Sequence, residues 1–518
     1  MCLEGGIVGK LRGVKGKALL TTVLVPGLTF GGAGAAIAQE GASGGSQGSS
    51  SRDAEGRSDQ KSEGASSKTQ GSSGNAVGSS GGAPRVEKGD HDPFYDTVSV
   101  PGKNPGDVVK TQQAPYGRIF GGLDYKLPST VQKIMYTSTT QKGEKVPVTG
   151  YVVEPTVAWK GKGPRPTVVV GRGTVGQGDQ CAPSRNWPLD KQPDPIASQR
   201  AVALEGLYEW VFANQGVRVV VTDYVGMGTD GVHTYMNRLD QAHAMIDAAR
   251  AARNVAKESG EKFGKVAFYG HSQGGGASAA AIEVVGEYAP DLEPAGAYAS
   301  APPADLDAVQ RNIDGSDLVG AIGFTINGLL ARYPELEADL EAHLNEKGKA
   351  AIEDLKTMCT NEITEKYGHQ KTSMWTKDGR SLDELLKSMP KARAAMEDQR
   401  IGKSKPAAPV MIVSGRHDLN VEYQQAKDLA AKWCSKGSPV VYRDDYMAKI
   451  GDYNHFVQAI SGAEFGIPFV LDRFNGVPVN GSCQIPDKPN PVGSAQGSAE
   501  GSANLSSVAI GSSRLGSS

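Results

Sequence analysis

Short, largely apolar runs recur through the middle of the chain, at residues 167–170, 217–222, 265–269, 295–299, 410–414 and 440–443. β-Branched residues are prominent in them, as expected of strands buried on both faces within a parallel sheet. Residues 131–136 and 147–153 alternate instead, which predicts antiparallel strands at the start of the same sheet. Helical patterns fill several gaps, notably 239–257 and 424–433. The alternation predicts an α/β fold, a mostly parallel sheet covered by helices on both sides.

Residues 305–405 break this rhythm. The stretch is too long for a loop and reads as helices, so it predicts a helical cap inserted between the strands at 295 and 410. The body is then residues 90–304 and 406–488. Residues 318–330 within the cap are unusually apolar, and two readings stay open: a helix packed on the body, or a mobile lid facing lipid. The chain's ends look different. Lys10, Arg12, Lys15 and Lys17 precede an apolar run and Ala36-Ile37-Ala38, which predicts a secretory leader over 1–38 cleaved before Gln39. Residues 39–89 and 489–518 are rich in Ser and Gly and carry few large apolar side chains, so they predict a flexible linker or stalk and a tail.

Composition narrows the picture. The 55 basic and 57 acidic residues nearly balance, and no basic cluster is interleaved with aromatics, which argues against a nucleic-acid partner. No stable membrane anchor is expected, so the default location is outside the cell, free or loosely held at the envelope. Of five cysteines, Cys2 falls in the leader. The remaining Cys181, Cys359, Cys434 and Cys483 form an even set in an exported chain and predict two disulfides, with three pairings open. No C-x-x-C or H-E-x-x-H spacing points to a metal, and no cofactor is expected.

The candidate chemistry centres on Gly270-His271-Ser272-Gln273-Gly274, between the run at 265–269 and a small-residue helix from 275 to 285. A strand, a Gly-x-Ser-x-Gly turn and a helix make the nucleophile elbow of the α/β-hydrolase fold. The two glycines relieve collisions in a very tight turn, leaving the Ser272 hydroxyl above the sheet. The plainer alternative is a glycine-rich turn with an incidental serine. A nucleophilic serine needs a histidine base and a carboxylate to orient it, in the chain order Ser, Asp/Glu, His. His271 lies in the elbow and is expected to point away from Ser272. His343 and His369 fall in the cap, and His417 leaves only His455 after it. His455, expected in a loop after the last strand, is therefore the candidate base. Asp418, just beyond the strand at 410–414, is the candidate acid, ahead of Asp444, Asp445 and Asp452. The oxyanion donors are expected to be the backbone N–H of Gln273 and that of Thr174 or Val175, in the glycine-rich stretch from Gly171 to Gly176. His233, His243 and Asp223 read as structural.

Four segments together resemble the secretory lipases of fungi and actinobacteria, the lipase A type. They are Gly173-Thr-x-Gly-x-Gly-Asp-x-Cys-Ala-Pro-Ser184, Asp223-Tyr-x-Gly-x-Gly228, Gly270-His-Ser-Gln-Gly-Gly275, and Arg473-Phe-x-Gly476 with Cys483. The resemblance runs from about residue 92 to 486. It implies an α/β-hydrolase with a helical cap acting on triacylglycerols and other carboxylic esters, with Ser272, Asp418 and His455 as nucleophile, acid and base. It also implies the disulfides Cys181–Cys359, clamping the cap to the oxyanion-side loop, and Cys434–Cys483, tying the last helix to the C-terminal segment. The expected partner is a lipid or other ester substrate, met at a lipid–water interface if the enzyme is a lipase. Acyl transfer to an alcohol of the envelope, and a non-catalytic surface binding role, are the competing readings.

Overall fold

The computed structural model describes residues 92–487, apart from 97, 101, 116–128, 187–188 and 190–204. The expected leader, linker and tail lie outside the described residues. Nine strands form one sheet: β1 (Val108–Ala114), β2 (Ser129–Thr139), β3 (Lys145–Pro155), β4 (Thr167–Gly171), β5 (Arg218–Thr222), β6 (Val266–His271), β7 (Pro294–Ser300), β8 (Val410–Ser414) and β9 (Val440–Asp444). Their order is β1-β2-β3-β5-β4-β6-β7-β8-β9. The first three are an antiparallel meander joined antiparallel to β5, and from β5 to β9 every pairing is parallel.

The apolar runs are apolar because helices cover both faces. In β4, Val169 packs with Val220, Phe268 and Ile412 beneath one helical layer, while Val168 and Val170 pack with Val219, Val221 and Tyr269 beneath the other. Helices α1 (Gly206–Asn214), α2 (Arg238–Glu258) and α3 (Gln273–Tyr288) belong to the body. Buried alanines of α2 and α3 lie against the first face, and α1 covers the second. Burying each Val or Phe contributes roughly 1.5–3 kcal/mol.

The cap holds the short helices α4 (Leu306–Ile313), α5 (Gly320–Leu330), α6 (Glu337–His343), α7 (Glu346–Leu355), α8 (Thr360–Tyr367), α9 (Leu382–Leu386) and α10 (Pro390–Asp398). It has a core of its own, with Phe324, Leu355, Ile363 and Leu385 fully buried. The apolar segment at 318–330 packs against the body in this structure. Gly328 of α5 sits so close to the Tyr235 backbone that a Cβ there would collide with it, and buried Asn327 donates to Gln177 Oε1 at 3.0 Å.

Helix α11 (Tyr423–Ser435) and helix α12 (Asn454–Phe474) complete the body. Cys434 therefore lies on the next-to-last helix, not the last. No helix among the described residues is long and apolar enough to cross a membrane.

Candidate active site

Strand order brings the chemistry together. The chain leaves β4 to β5 on one side and returns over β4 to β6 on the other, so the carboxyl ends of β4 and β6 open side by side at a topological switch point. Gly171 pairs with Gly270 there. The loop after β4 and the elbow after β6 thus emerge together.

Ser272 stands between β6 and α3 with φ 56° and ψ −122°. Such a backbone costs on the order of 1–3 kcal/mol, comparable to the burial of one core valine, so a packed sheet can hold it. The glycines are required by proximity. A Cβ on Gly270 would overlap the Gly274 backbone, one on Gly274 would strike the Gly171 carbonyl, and one on Gly275 the Ser300 carbonyl. The start of α3 is wedged between the ends of β4 and β7.

His455 Nε2 lies 2.8 Å from Ser272 Oγ, and His455 Nδ1 lies 2.7 Å from Asp418 Oδ2. All three side chains are buried. Asp418 Oδ1 also accepts the N–H groups of Asn420 and Val421, at 2.8 and 2.9 Å. Asp418 thus serves its own turn and orients the imidazole. His455 is in the first turn of α12, which corrects the expectation of a loop. One face of α12 holds it in place: Gln458 donates to Ser300 Oγ and Val413 O at 3.1 Å each, and Gly462 and Gly466 let the helix lie against Tyr298. The other carboxylates have separate duties. Asp445 accepts from Ser461 of α12 at 2.6 Å, Asp444 takes the Tyr423 hydroxyl, and Asp452 is exposed.

A small cavity opens over Ser272 and His455, walled by Thr174, Glu205, Leu318, Thr360 and Phe456 among others. Thr174 lines it, whereas Val175 is buried and does not. Gln273 begins α3, where the first N–H groups have no carbonyl one turn earlier to accept them. The Gln273 side chain is held from behind. His233 Nδ1 lies 2.9 Å from Val225 O, so that nitrogen carries the proton, and Nε2 accepts from Gln273 Nε2 at 2.9 Å. Burial lowers the His233 pKa to about 4, keeping the ring neutral as this geometry needs.

His271 lies beside the base candidate rather than acting on Ser272. Its ring packs 4.6 Å from that of His455, while its Nδ1 shares a 2.9 Å hydrogen bond with Ser300 Oγ. Burial, then the neighbouring His455, pushes its pKa well down. His343, His369 and His417 are absent from the cavity walls. His243 bonds the Thr139 carbonyl and stacks on Tyr288 at 3.9 Å. Asp223 braces the Cys-Ala-Pro-Ser segment by accepting the Ser184 N–H at 2.9 Å and the Ser184 hydroxyl. Sequence reasoning missed Glu205 and Thr360. Glu205 accepts the Gly173 N–H at 2.9 Å, and burial, partly opposed by Arg172, raises its pKa to about 7. Both disulfides join the pairs that the resemblance implied: Cys181–Cys359 and Cys434–Cys483.

Sheet order, elbow and cap define an α/β-hydrolase. The solved structure of Candida antarctica lipase A superposes with a TM-score of 0.64 at 22% identity, covering 77% of this chain and 88% of that one. The rice cell wall degrading esterase LipA of Xanthomonas oryzae gives 0.58 at 19% identity, over 72% of this chain and 98% of that one. The secretory lipase family model matches residues 200–481, more than half of the chain, and the protein belongs to that family. A secreted triacylglycerol lipase of Malassezia furfur is 24% identical over 407 residues, 77% of this chain and 79% of that protein. A probable inactive lipase of Mycobacterium tuberculosis is 26% identical over 393 residues, 75% of this chain and 83% of that one.

Proposed function

We propose that the protein is an exported serine hydrolase of carboxylic esters, most simply a triacylglycerol lipase, working through Ser272, His455 and Asp418. The unbroken hydrogen-bonded path from Ser272 Oγ through the imidazole to Asp418 carries this reading. His455 Nδ1–H donates to Asp418, leaving Nε2 to accept the Ser272 proton as Oγ attacks the ester carbonyl. The oxyanion that forms meets the N–H groups of Gln273 and Thr174, the latter preferred to Val175 because it lines the cavity. Collapse expels the alcohol, which takes the proton from His455, and leaves Ser272 acylated. Water then attacks the acyl-enzyme with the same proton transfers and releases the carboxylic acid.

The mycobacterial relative is a probable inactive lipase, which raises one alternative, a non-catalytic protein on a hydrolase fold. Against it stands the intact trio, since such proteins commonly lose a member. A serine-directed alkyl phosphonate separates the two. Covalent labelling of the wild-type protein and none of Ser272→Ala, together with a roughly 10⁴- to 10⁶-fold lower ester turnover in that variant, supports the hydrolase. Folded wild-type protein that neither labels nor hydrolyses nitrophenyl esters overturns it.

A further inference from the structure

The loop carrying the proposed second oxyanion donor is held at both ends, by different parts of the molecule. On the body side the Arg172–Gly173 peptide is fixed at its two polar atoms: Tyr224 donates its hydroxyl to Arg172 O at 2.9 Å, and Gly173 N–H donates to Glu205 Oε2 at 2.9 Å. On the cap side a single residue holds the Thr174–Val175 and Val175–Gly176 peptides. Thr360 donates its hydroxyl to Thr174 O at 2.7 Å and its backbone N–H to Val175 O at 3.0 Å. Between these clamps lies the Gly173–Thr174 peptide, whose N–H is the proposed donor. No hydrogen bond among the described residues takes that N–H.

Thr360 is suited to this duty. It opens helix α8 directly after Cys359, which the disulfide joins to Cys181 with the Cα atoms 5.5 Å apart. Gln177 N–H also donates to Met358 O at 2.9 Å, so a short antiparallel join stitches the oxyanion-side loop to the cap. A β-branched side chain has few rotamers, so its hydroxyl is aimed at little entropic cost. Thr360 is buried and shares the cavity with Ser272 and Thr174.

We propose that Thr360, supplied by the cap, is a positioning residue of the oxyanion hole: its hydroxyl sets the Thr174 carbonyl and thereby aims the preceding Thr174 N–H at the developing oxyanion. The inference rests on the serine-hydrolase reading above. It makes the cap part of the catalytic apparatus, and a cap that swung away as a rigid lid would take the oxyanion donor with it.

The test compares Thr360→Val, Thr360→Ala and Thr360→Ser in the full-length protein, with nitrophenyl butyrate as substrate and a trifluoromethyl ketone, which forms a tetrahedral adduct with the serine, as inhibitor. The backbone bond to Val175 survives all three changes, so they isolate the hydroxyl. Val and Ala should lower kcat roughly 10- to 100-fold with KM changed less than about twofold, and weaken the ketone by a similar factor. Ser should restore both to within a few-fold. Phosphonate labelling and circular dichroism report that the site and fold persist, and Ala stands in if Val does not fold. Wild-type kcat in Val or Ala, or a Ser variant as impaired as Val, overturns the proposal. If Ser272→Ala is inert while the Thr360 variants match wild type, this inference alone fails. If Ser272→Ala still hydrolyses ester, the underlying reading fails instead.

Discussion

Asp418 shows how one side chain can do two jobs. It closes its own turn through two backbone N–H groups and still presents an oxygen to His455. Asp418→Asn should therefore keep the fold yet lower kcat by roughly 10³- to 10⁴-fold, because an amide cannot stabilise the imidazolium or enforce its tautomer. Steady-state kinetics with near-UV circular dichroism would check both halves. His233 offers a pH prediction. Its pKa is about 4 in the folded protein against 6.5 when unperturbed, so between those values the native state binds fewer protons than the unfolded state. Stability from this site is whole above about pH 6.5 and drains away as pH falls toward 4. His233→Gln, which cannot charge, should lose less urea resistance between pH 7 and 4.5 than wild type. An equal loss in both proteins would show that other groups set the acid limb.

Among elements, the elbow is the most tightly constrained. Gly274→Ala would drive a methyl group into the Gly171 carbonyl, prying α3 from the end of β4. A cost of about 1–3 kcal/mol is expected, with an activity loss larger than the stability loss, since the turn positions Ser272 and Gln273 together. Urea midpoints beside turnover numbers would measure it. The elbow was legible in the sequence because its glycines sit at fixed offsets from a strand and a helix. Helix α12 was not. Its buried face begins with Asn454, His455, Gln458, Ala459, Ser461, Gly462, Ala463 and Gly466, polar or small residues that give only a weak hydrophobic period before the larger Ile467, Phe469 and Val470. Side-chain hydrogen bonds and the close approach to Tyr298 help seat this first half, so a candidate base on a helix looked like one in a loop. Strand β1 escaped for a related reason: as an edge strand with exposed Thr111, Gln112 and Gln113, it needs no apolar face.

At the scale of the whole molecule the two disulfides should behave differently. Cys181–Cys359 spans 178 residues and joins the cap to the loop beside Thr174, whereas Cys434–Cys483 spans 49 and ties α11 to the segment after α12. Chain entropy alone assigns them roughly 5 and 4 kcal/mol, too close to tell apart. Position separates them. Replacing both cysteines of the first pair by serine should lower kcat as well as the melting temperature. The same change in the second pair should lower the melting temperature with kcat within about twofold of wild type. Matched activity losses would argue that the cap bridge has no link to the chemistry.

Local pattern determined the strands of the parallel sheet, the elbow serine, and the short roster of histidines and carboxylates that could serve it. Those features come from steric and burial rules acting over a few neighbouring residues, so they are written in consecutive positions. Tertiary structure alone decided that His271 stays beside His455, that His233 braces Gln273, and that Glu205 and Thr360 reach the loop at Thr174. These contacts join residues far apart in the chain, and Glu205 and Thr360 lie in no motif. A hydrogen bond leaves no mark on the chain until the sheet order and the cap have brought its two ends within 3 Å.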